Sequence, residues 1–180
     1  MKAYNYIIAF LLVLLTCNVS FAQVKVYPGL VFGSEIERPG IVLGGEFFVS
    51  EKVSIAPDFI YYFIDKESQV FSSSKIEVKT KLWELNGNMH YYFVNKSNIS
   101  FYGLGGLNYS HAGVKYKETD TDTGQTETEF DVSDGEVGIN LGAGANFPVG
   151  RNFTPFAEIK YVAASTDQLV VGAGLKFDIQ

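Results

Sequence analysis

From Gln168 to Ile179 the chain alternates between two kinds of position. Leu169, Val171, Ala173, Leu175, Phe177 and Ile179 fall on one face of an extended strand, and Gln168, Val170, Gly172, Gly174, Lys176 and Asp178 on the other, because successive strand side chains point to opposite sides. The two-faced pattern recurs upstream and predicts eight strands, near 24–32, 40–49, 53–64, 80–94, 98–113, 135–147, 153–164 and 168–179. No stretch of ten or more residues beyond the N-terminal segment keeps a helical period. The connections also alternate: 50–52, 95–97 and 148–152 are tight, whereas 33–39, 65–79 and 114–134 are longer and polar, and only the link around Thr166 breaks the rule. An even number of strands, with short turns at one rim and longer loops at the other, predicts an all-β, eight-stranded antiparallel up-and-down transmembrane β-barrel.

The pattern also indicates which face meets which solvent. In 80–94, Trp83, Leu85, Gly87, Met89, Tyr91 and Phe93 oppose Glu84, Asn86, Asn88, His90 and Tyr92; in 135–147, Val137, Ile139, Leu141, Ala143, Ala145 and Phe147 oppose Glu136, Gly138, Asn140, Gly142, Gly144 and Asn146. The second face is small and polar, a poor exterior for a soluble barrel but suited to a cramped, hydrated interior. Aromatic residues collect toward the strand ends. Phe93, Phe101, Phe147, Phe153 and Phe177 lie near the short turns, and Phe32, Tyr61, Phe63, Trp83, Tyr109 and Tyr161 near the long loops, as the two interfacial girdles of a bilayer-spanning barrel would. A secreted lipocalin-like ligand-binding barrel is the rival, with the same apolar face turned inward. Pro28, Pro57 and Pro155 each remove a ladder donor from a proposed strand, so a bulge or frayed rim is expected there. In 98–113 the two faces are mixed, with Tyr102 and Leu104 on the otherwise polar parity; Phe101, Leu107 and Tyr109 are read as outward.

The N-terminus supplies the route to a membrane. Lys2, the apolar run Ile7–Leu15 and Ser20-Phe21-Ala22 form a signal peptide, 1–22, with cleavage before Gln23 and a barrel domain over 23–180. The run is shorter than the roughly 20 residues of a membrane-crossing helix. The single cysteine, Cys17, lies in this leader, so the exported chain has no disulfide to rely on. Losing Lys2 moves the formal net charge from −6 to −7, which gives no general attraction for nucleic acid.

These strands resemble the OmpA/OmpX-like, porin-family outer membrane protein beta-barrel domains of Gram-negative bacteria over all of 23–180. The most specific motif is Gly174-Leu-Lys-Phe177-Asp-Ile179, similar to the closing-strand signal read by the barrel-insertion machinery. The Gly-rich stretches Tyr102–Tyr109 and Gly142–Phe147 resemble the strands of the same group. The resemblance implies insertion through Gly174, Phe177 and Ile179 and a free-standing barrel in the outer membrane. The family usually closes on an aromatic residue, where this chain reads Asp178-Ile179-Gln180.

Polar chemistry concentrates on the predicted interior face in Lys25, Glu46, Asp58, Glu84, His90, Glu158, Lys160, Lys176 and Asp178. Counting from the turn at 50–52 makes Glu46 and Asp58 diagonal neighbours with Glu84 next; counting around Thr166 makes Glu158 and Lys176 diagonal, with Lys160 beside them. Acids then face lysines across a lumen only just wide enough for side chains, and cross-lumen ion pairs are expected to plug it. A small porin with a narrow cation-preferring conductance is the alternative, set by the acidic excess. His90 and His111 have no serine and carboxylate at nucleophile-triad spacing, so neither an enzyme nor a cofactor or metal site is expected. Asp120-Thr-Asp122-Thr-Gly124 opens like a calcium loop without its remaining ligands. In 115–131, threonines alternate with acids around Gly124, which predicts a hairpin projecting above the membrane, with a lesser projection in 65–79. Loops 65–79 and 114–134 are thus the expected contact with an extracellular protein partner, by strand addition.

Overall fold

In hydrocarbon every backbone polar group needs a partner within the protein, and the strands meet that demand by closing on themselves. The computed structural model describes residues 23–63, 66–71, 74–120, 126–149 and 153–179; the expected leader 1–22 lies outside them. The strands are β1 Gln23–Gly33, β2 Arg38–Phe48, β3 Val53–Tyr62, β4 Lys66–Phe71, β5 Ser74–Lys96, β6 Ile99–Asp120, β7 Thr126–Asn146, β8 Phe153–Ala163 and β9 Gln168–Ile179. They form one antiparallel sheet in the order β3-β2-β1-β9-β8-β7-β6-β5-β4, and β3 also pairs with β5 from Val53 opposite Tyr91 to Tyr61 opposite Trp83. That second pairing closes an eight-stranded barrel. The short β4 continues the course of β3 higher up along β5.

The apolar face points outward, which excludes the lipocalin-like orientation. Val137 is 72 % exposed and Leu141 70 %, while Glu46, Glu84, Asn86, Asn140 and Lys176 on the other parity are buried. The mixed sixth strand follows suit, with Tyr102 and Leu104 buried inside and Leu107 exposed outside. Interior aromatic rings need room on the neighbouring strand, and glycine provides it. Tyr27 faces Gly44 across β1 and β2, Tyr102 faces Gly144 across β6 and β7, and a Cβ at either glycine would run into the tyrosine ring.

Several expectations need correction. The prolines produce no bulge. Register is unchanged on either side of Pro28 and Pro57, and the ladder simply opens beside each: β1 pairs with β9 at Val26 and again at Gly29, and β2 with β3 at Gly44 and again at Phe47. Pro155 lies beyond the last β7–β8 pair, Asn146 with Phe156. The irregularities fall elsewhere, between Tyr92 and Val94 in β5 and between Glu118 and Thr119 in β6. The hairpin extensions expected within 65–79 and 115–131 are present among the described residues, where much of both stretches is strand. β6 and β7 stay paired up to Thr119 opposite Thr126, while β8 joins β7 only from Ile139 opposite Ala163. Above that level β4, β5, β6 and β7 stand alone as a projecting sheet.

The faces exchange character in this projection. Below it the outward side is apolar; above it Lys81, Lys115 and Asp131 point outward, and the inward parity carries Val78, Val114, Tyr116, Phe130 and Val132. Val114 lies opposite Val132, and Tyr116 opposite Phe130 with their rings stacked at 5.0 Å. The outward switch from Trp83 and Tyr109 to Lys81 and Lys115 marks where hydrocarbon gives way to water.

Leu141→Arg on the outward face is expected to cost about 2–4 kcal/mol of folding stability, as a cation near the bilayer midplane does. Equilibrium denaturant titration in phospholipid vesicles, read beside membrane partitioning of the variant, measures it.

Candidate functional site

Eight strands leave a lumen that side chains fill, so the polar groups facing inward must satisfy one another. Most do so around three carboxylates, while Asn108, Asn140 and Asn146 each keep a buried Oδ1 without a hydrogen-bond donor. Glu46 on β2 is fully buried. Its Oε1 accepts from Ser54 Oγ at 2.6 Å and Tyr92 Oη at 2.6 Å, with His90 Nδ1 at 3.0 Å, and its Oε2 accepts from Lys176 Nζ at 2.7 Å across the barrel. The Lys176 ammonium also sits over the rings of Tyr102, Phe156 and Tyr27 at 4.9, 5.3 and 5.6 Å, so aromatic faces complete its cage. His90 stacks on Tyr102 with centroids 4.4 Å apart, and Tyr102 Oη donates to Glu158 Oε2 at 2.7 Å.

Glu84 on β5 forms the second centre. Its Oε1 accepts from Tyr62 Oη at 2.8 Å and Gln168 Nε2 at 3.0 Å, its Oε2 accepts from Asn108 Nδ2 at 3.1 Å, and Lys160 Nζ stands 3.6 Å from that oxygen. The third, Asp58, accepts from Asn86 at 2.7 Å and Asn88 at 3.1 Å, and Asn140 Nδ2 in turn donates to Asn86 and Asn88 at 2.8 Å each. Three strands thus tie into one amide lattice through β5. At the lower rim Lys25 and Asp178 lie opposite each other and pair at 3.3 Å.

The structure therefore brings Glu46 to Lys176 and Glu84 to Lys160, but one expected adjacency differs. Glu158 lies opposite Gly172 and Lys176 opposite Thr154, so these two are not diagonal neighbours; the β8–β9 turn is centred one residue earlier than the count around Thr166 assumed. Glu158 is also on the same strand as Lys160, so acids and lysines do not divide cleanly between opposite walls. Ser54, Tyr62, Asn86, Asn88, Tyr92, Tyr102, Asn108 and Gln168, absent from the sequence-derived set, supply most of the donors to the carboxylates. Their signal was parity, since each lies on the face that carries the charges.

Among the proposed girdle residues, Phe32, Phe63, Phe93, Phe101, Tyr109, Phe147, Phe153, Tyr161 and Phe177 are exposed outward, and Tyr61 and Trp83 are partly covered. Trp83 packs in tilted contact with Tyr109 at 5.6 Å and His111 at 5.2 Å, which places His111 on the outer surface, remote from His90. Of the closing motif, Phe177 and Ile179 point outward, and Gly174 pairs with Gly29 on β1. Among the described residues no group of three or more His, Cys, Asp or Glu is arranged to hold a metal ion; of the calcium-like stretch Asp120–Gly124, all but Asp120 lies outside them.

At the extracellular mouth, Glu136 Oε1 accepts from the backbone N–H groups of Ser165 and Thr166. Hydrogen bonding from Ser165, side chain first and then backbone, holds this carboxyl below its ordinary range.

The buried Glu46–Lys176 pair is the most consequential contact in the lumen. Glu46→Gln or Lys176→Met alone is expected to cost about 3–5 kcal/mol, because each leaves an uncompensated buried charge, whereas the two together should cost clearly less than the two single changes summed. Denaturant titration of the four proteins in one detergent gives the cycle.

The model of the family described as outer membrane protein beta-barrel domain matches residues 13–177. No curated protein sequence matches the chain. Among solved structures, the chain is similar to Ail, the attachment invasion locus protein of Yersinia pestis (13 % identity, 87 % of this chain and 97 % of that one, TM-score 0.54). It is also similar to the N-terminal β-barrel domain of Pseudomonas aeruginosa OprF (15 %, 87 % and 97 %, 0.56) and to Neisserial surface protein A (16 %, 86 % and 95 %, 0.56). At such identities the likeness shows a shared fold.

Proposed function

The chain belongs to the outer membrane protein beta-barrel domain family and resides in the outer membrane, and from that premise we propose that it is a non-enzymatic structural and surface-interaction barrel with a plugged lumen. In this reading residues 1–22 direct export, Gly174, Phe177 and Ile179 present the closing strand to the insertion machinery, and the two aromatic girdles set the depth of the barrel in the bilayer.

One observation carries the interaction role. The projecting sheet has two open edges, the outer side of β4 and the stretch of β7 from Thr126 to Gly138, which β8 does not reach. Open edges are templates for another strand, and natural proteins seldom leave them long without a use. The inward face adds an apolar patch at Val114, Phe130 and Val132, each well exposed and beyond the reach of lipid. An extracellular protein partner adding a strand to β7 would gain main-chain hydrogen bonds from the edge and side-chain burial from the patch.

The plug rests on the saturated carboxylates, since a permeating ion would have to break the Glu46–Lys176 and Glu84–Lys160 pairs together. The acidic excess favours the alternative, a narrow cation-preferring pore. Planar-bilayer recordings decide between them: no resolvable current steps are expected from the wild type or from Glu84→Gln, and stepwise cation current would establish the pore. For the interaction role, replacing 114–132, which carries the patch and most of the projecting β7 edge, by a two-residue Asn-Gly turn should leave the barrel folded in detergent. The same change should abolish the binding of any extracellular protein that the intact chain retains on cells displaying it.

A further inference from the structure

On the outward side the strands change character row by row as they leave the bilayer. Leu85, Tyr109 and Val137 share the last apolar row, and Trp83 and His111 the next. Then comes a row with Lys81 opposite Gly113 and Gly113 opposite Ser133. Above it Lys66, Lys79, Lys115 and Asp131 are directly opposed in turn across β4, β5, β6 and β7. Like charges placed directly opposite one another on a sheet destabilise it. Two such junctions follow in succession here, and the two rows together hold four lysines against one acid. The row above is different, because Glu77, Lys117 and Glu129 alternate in sign and match one another.

This cationic surplus borders a groove of about 230 Å³ on the outer surface. Lys81 and Lys115 line it, with Trp83 and His111 on the membrane side and Asp131 beside Lys115 at the upper edge. Lys81 is exposed and pairs with no carboxylate among the described residues. Gly113 leaves the floor open, since a Cβ there would meet nothing nearer than Ser133 Cβ at 3.9 Å. A strand rises about 3.4 Å per residue and barrel strands tilt about 40°, so the Lys81 row stands about 5 Å above Trp83 and the Lys115 row about 10 Å. Those heights bracket a headgroup zone about 5–8 Å deep, into which lysine stems can bend. Directly below, Leu85, Gly87, Leu107 and Val137 surround a shallow apolar depression of about 390 Å³, and a Cβ added at Gly87 would meet nothing within 4 Å.

We propose that this outward groove binds a phosphate-bearing lipid of the outer leaflet. The phosphate lies over Gly113 between the Lys81 and Lys115 ammonium groups and relieves the repulsion along the lysine row, while one acyl chain follows the depression at Gly87. A soluble anion would meet only the upper half of this arrangement. A lipid anion meets both halves and is supplied at the depth where the lysines stand. The site is on the lipid-facing side, so it requires neither the plugged lumen nor a partner at the β7 edge.

The test titrates dioleoylphosphatidic acid, and separately dioleoylglycerol, into isotope-labelled protein in dioleoylphosphatidylcholine nanodiscs, following backbone amide shifts. Phosphatidic acid is expected to give saturable shifts centred on Lys81, Gly113 and Ser133, and dioleoylglycerol none there. Lys81→Gln and Lys115→Gln should each weaken binding about fivefold, the effect of one lysine near an anionic lipid surface. Lys117→Gln, in the matched row, should leave binding unchanged. Gly113→Val fills the open floor of the groove and should abolish it. Unchanged amide positions for Ser54, Tyr102 and Asn146 verify the fold of each variant. Shifts that never saturate, equal shifts with dioleoylglycerol, full binding by the variant carrying both Lys81→Gln and Lys115→Gln, or as large a loss with Lys117→Gln as with Lys81→Gln would each overturn the proposal. Soluble glycerol 3-phosphate giving the same shifts at the same concentration would assign the groove to a free anion and overturn the lipid.

Discussion

The pairing of β3 with β5 is the contact on which the rest depends. Without it the sheet would present two rows of unmatched backbone amides and carbonyls to acyl chains, which no spanning structure tolerates. Closing the sheet at eight strands fixes a lumen too narrow for bulk water, and that narrowness makes the interior chemistry obligatory. Carboxylates facing into such a space must find donors, and here they find hydroxyls, amides and two lysines within hydrogen-bonding or ion-pairing distance. Plug and barrel are one construction: the network joins β2, β3, β5, β6, β7, β8 and β9 from within, as the ladders join them from without.

Most of this architecture is legible in the sequence because a strand's side-chain period is two and lipid is a uniform solvent. A single parity rule assigns the apolar residues from Val137 to Ala145 to one environment and Glu136, Asn140 and Asn146 to another. What a count of residue types misses is instructive. Interior aromatics such as Tyr62, Tyr92 and Tyr102 look hydrophobic in a count of residue types, yet each turns its hydroxyl toward a carboxylate. The β8–β9 register was misjudged because a four-residue polar turn around Ser165 carries no residue that fixes its centre. Above the bilayer the same alternation continues with its meaning inverted, since water rather than hydrocarbon now touches the outer side.

That inversion divides labour between the two ends of the molecule. The lower lumen, around Glu46 and Lys176, surrounds its carboxylate with matched donors. The upper lumen keeps an orphaned oxygen on Asn108 and apolar walls, and the sheet above carries open edges. Matched carboxylates are concentrated where the barrel must resist the bilayer, and open strand edges where it faces the outside world.

The tyrosine and glycine partners across adjacent strands have a consequence for divergence. Because Tyr27 lies over Gly44 and Tyr102 over Gly144, neither glycine can drift to a larger residue while its tyrosine stays, and losing a tyrosine first leaves a hole and a donor fewer. Such positions should therefore be inherited as couples, exchanged together or not at all, and across distant descendants of this barrel they should form the most tightly correlated columns outside the closing strand.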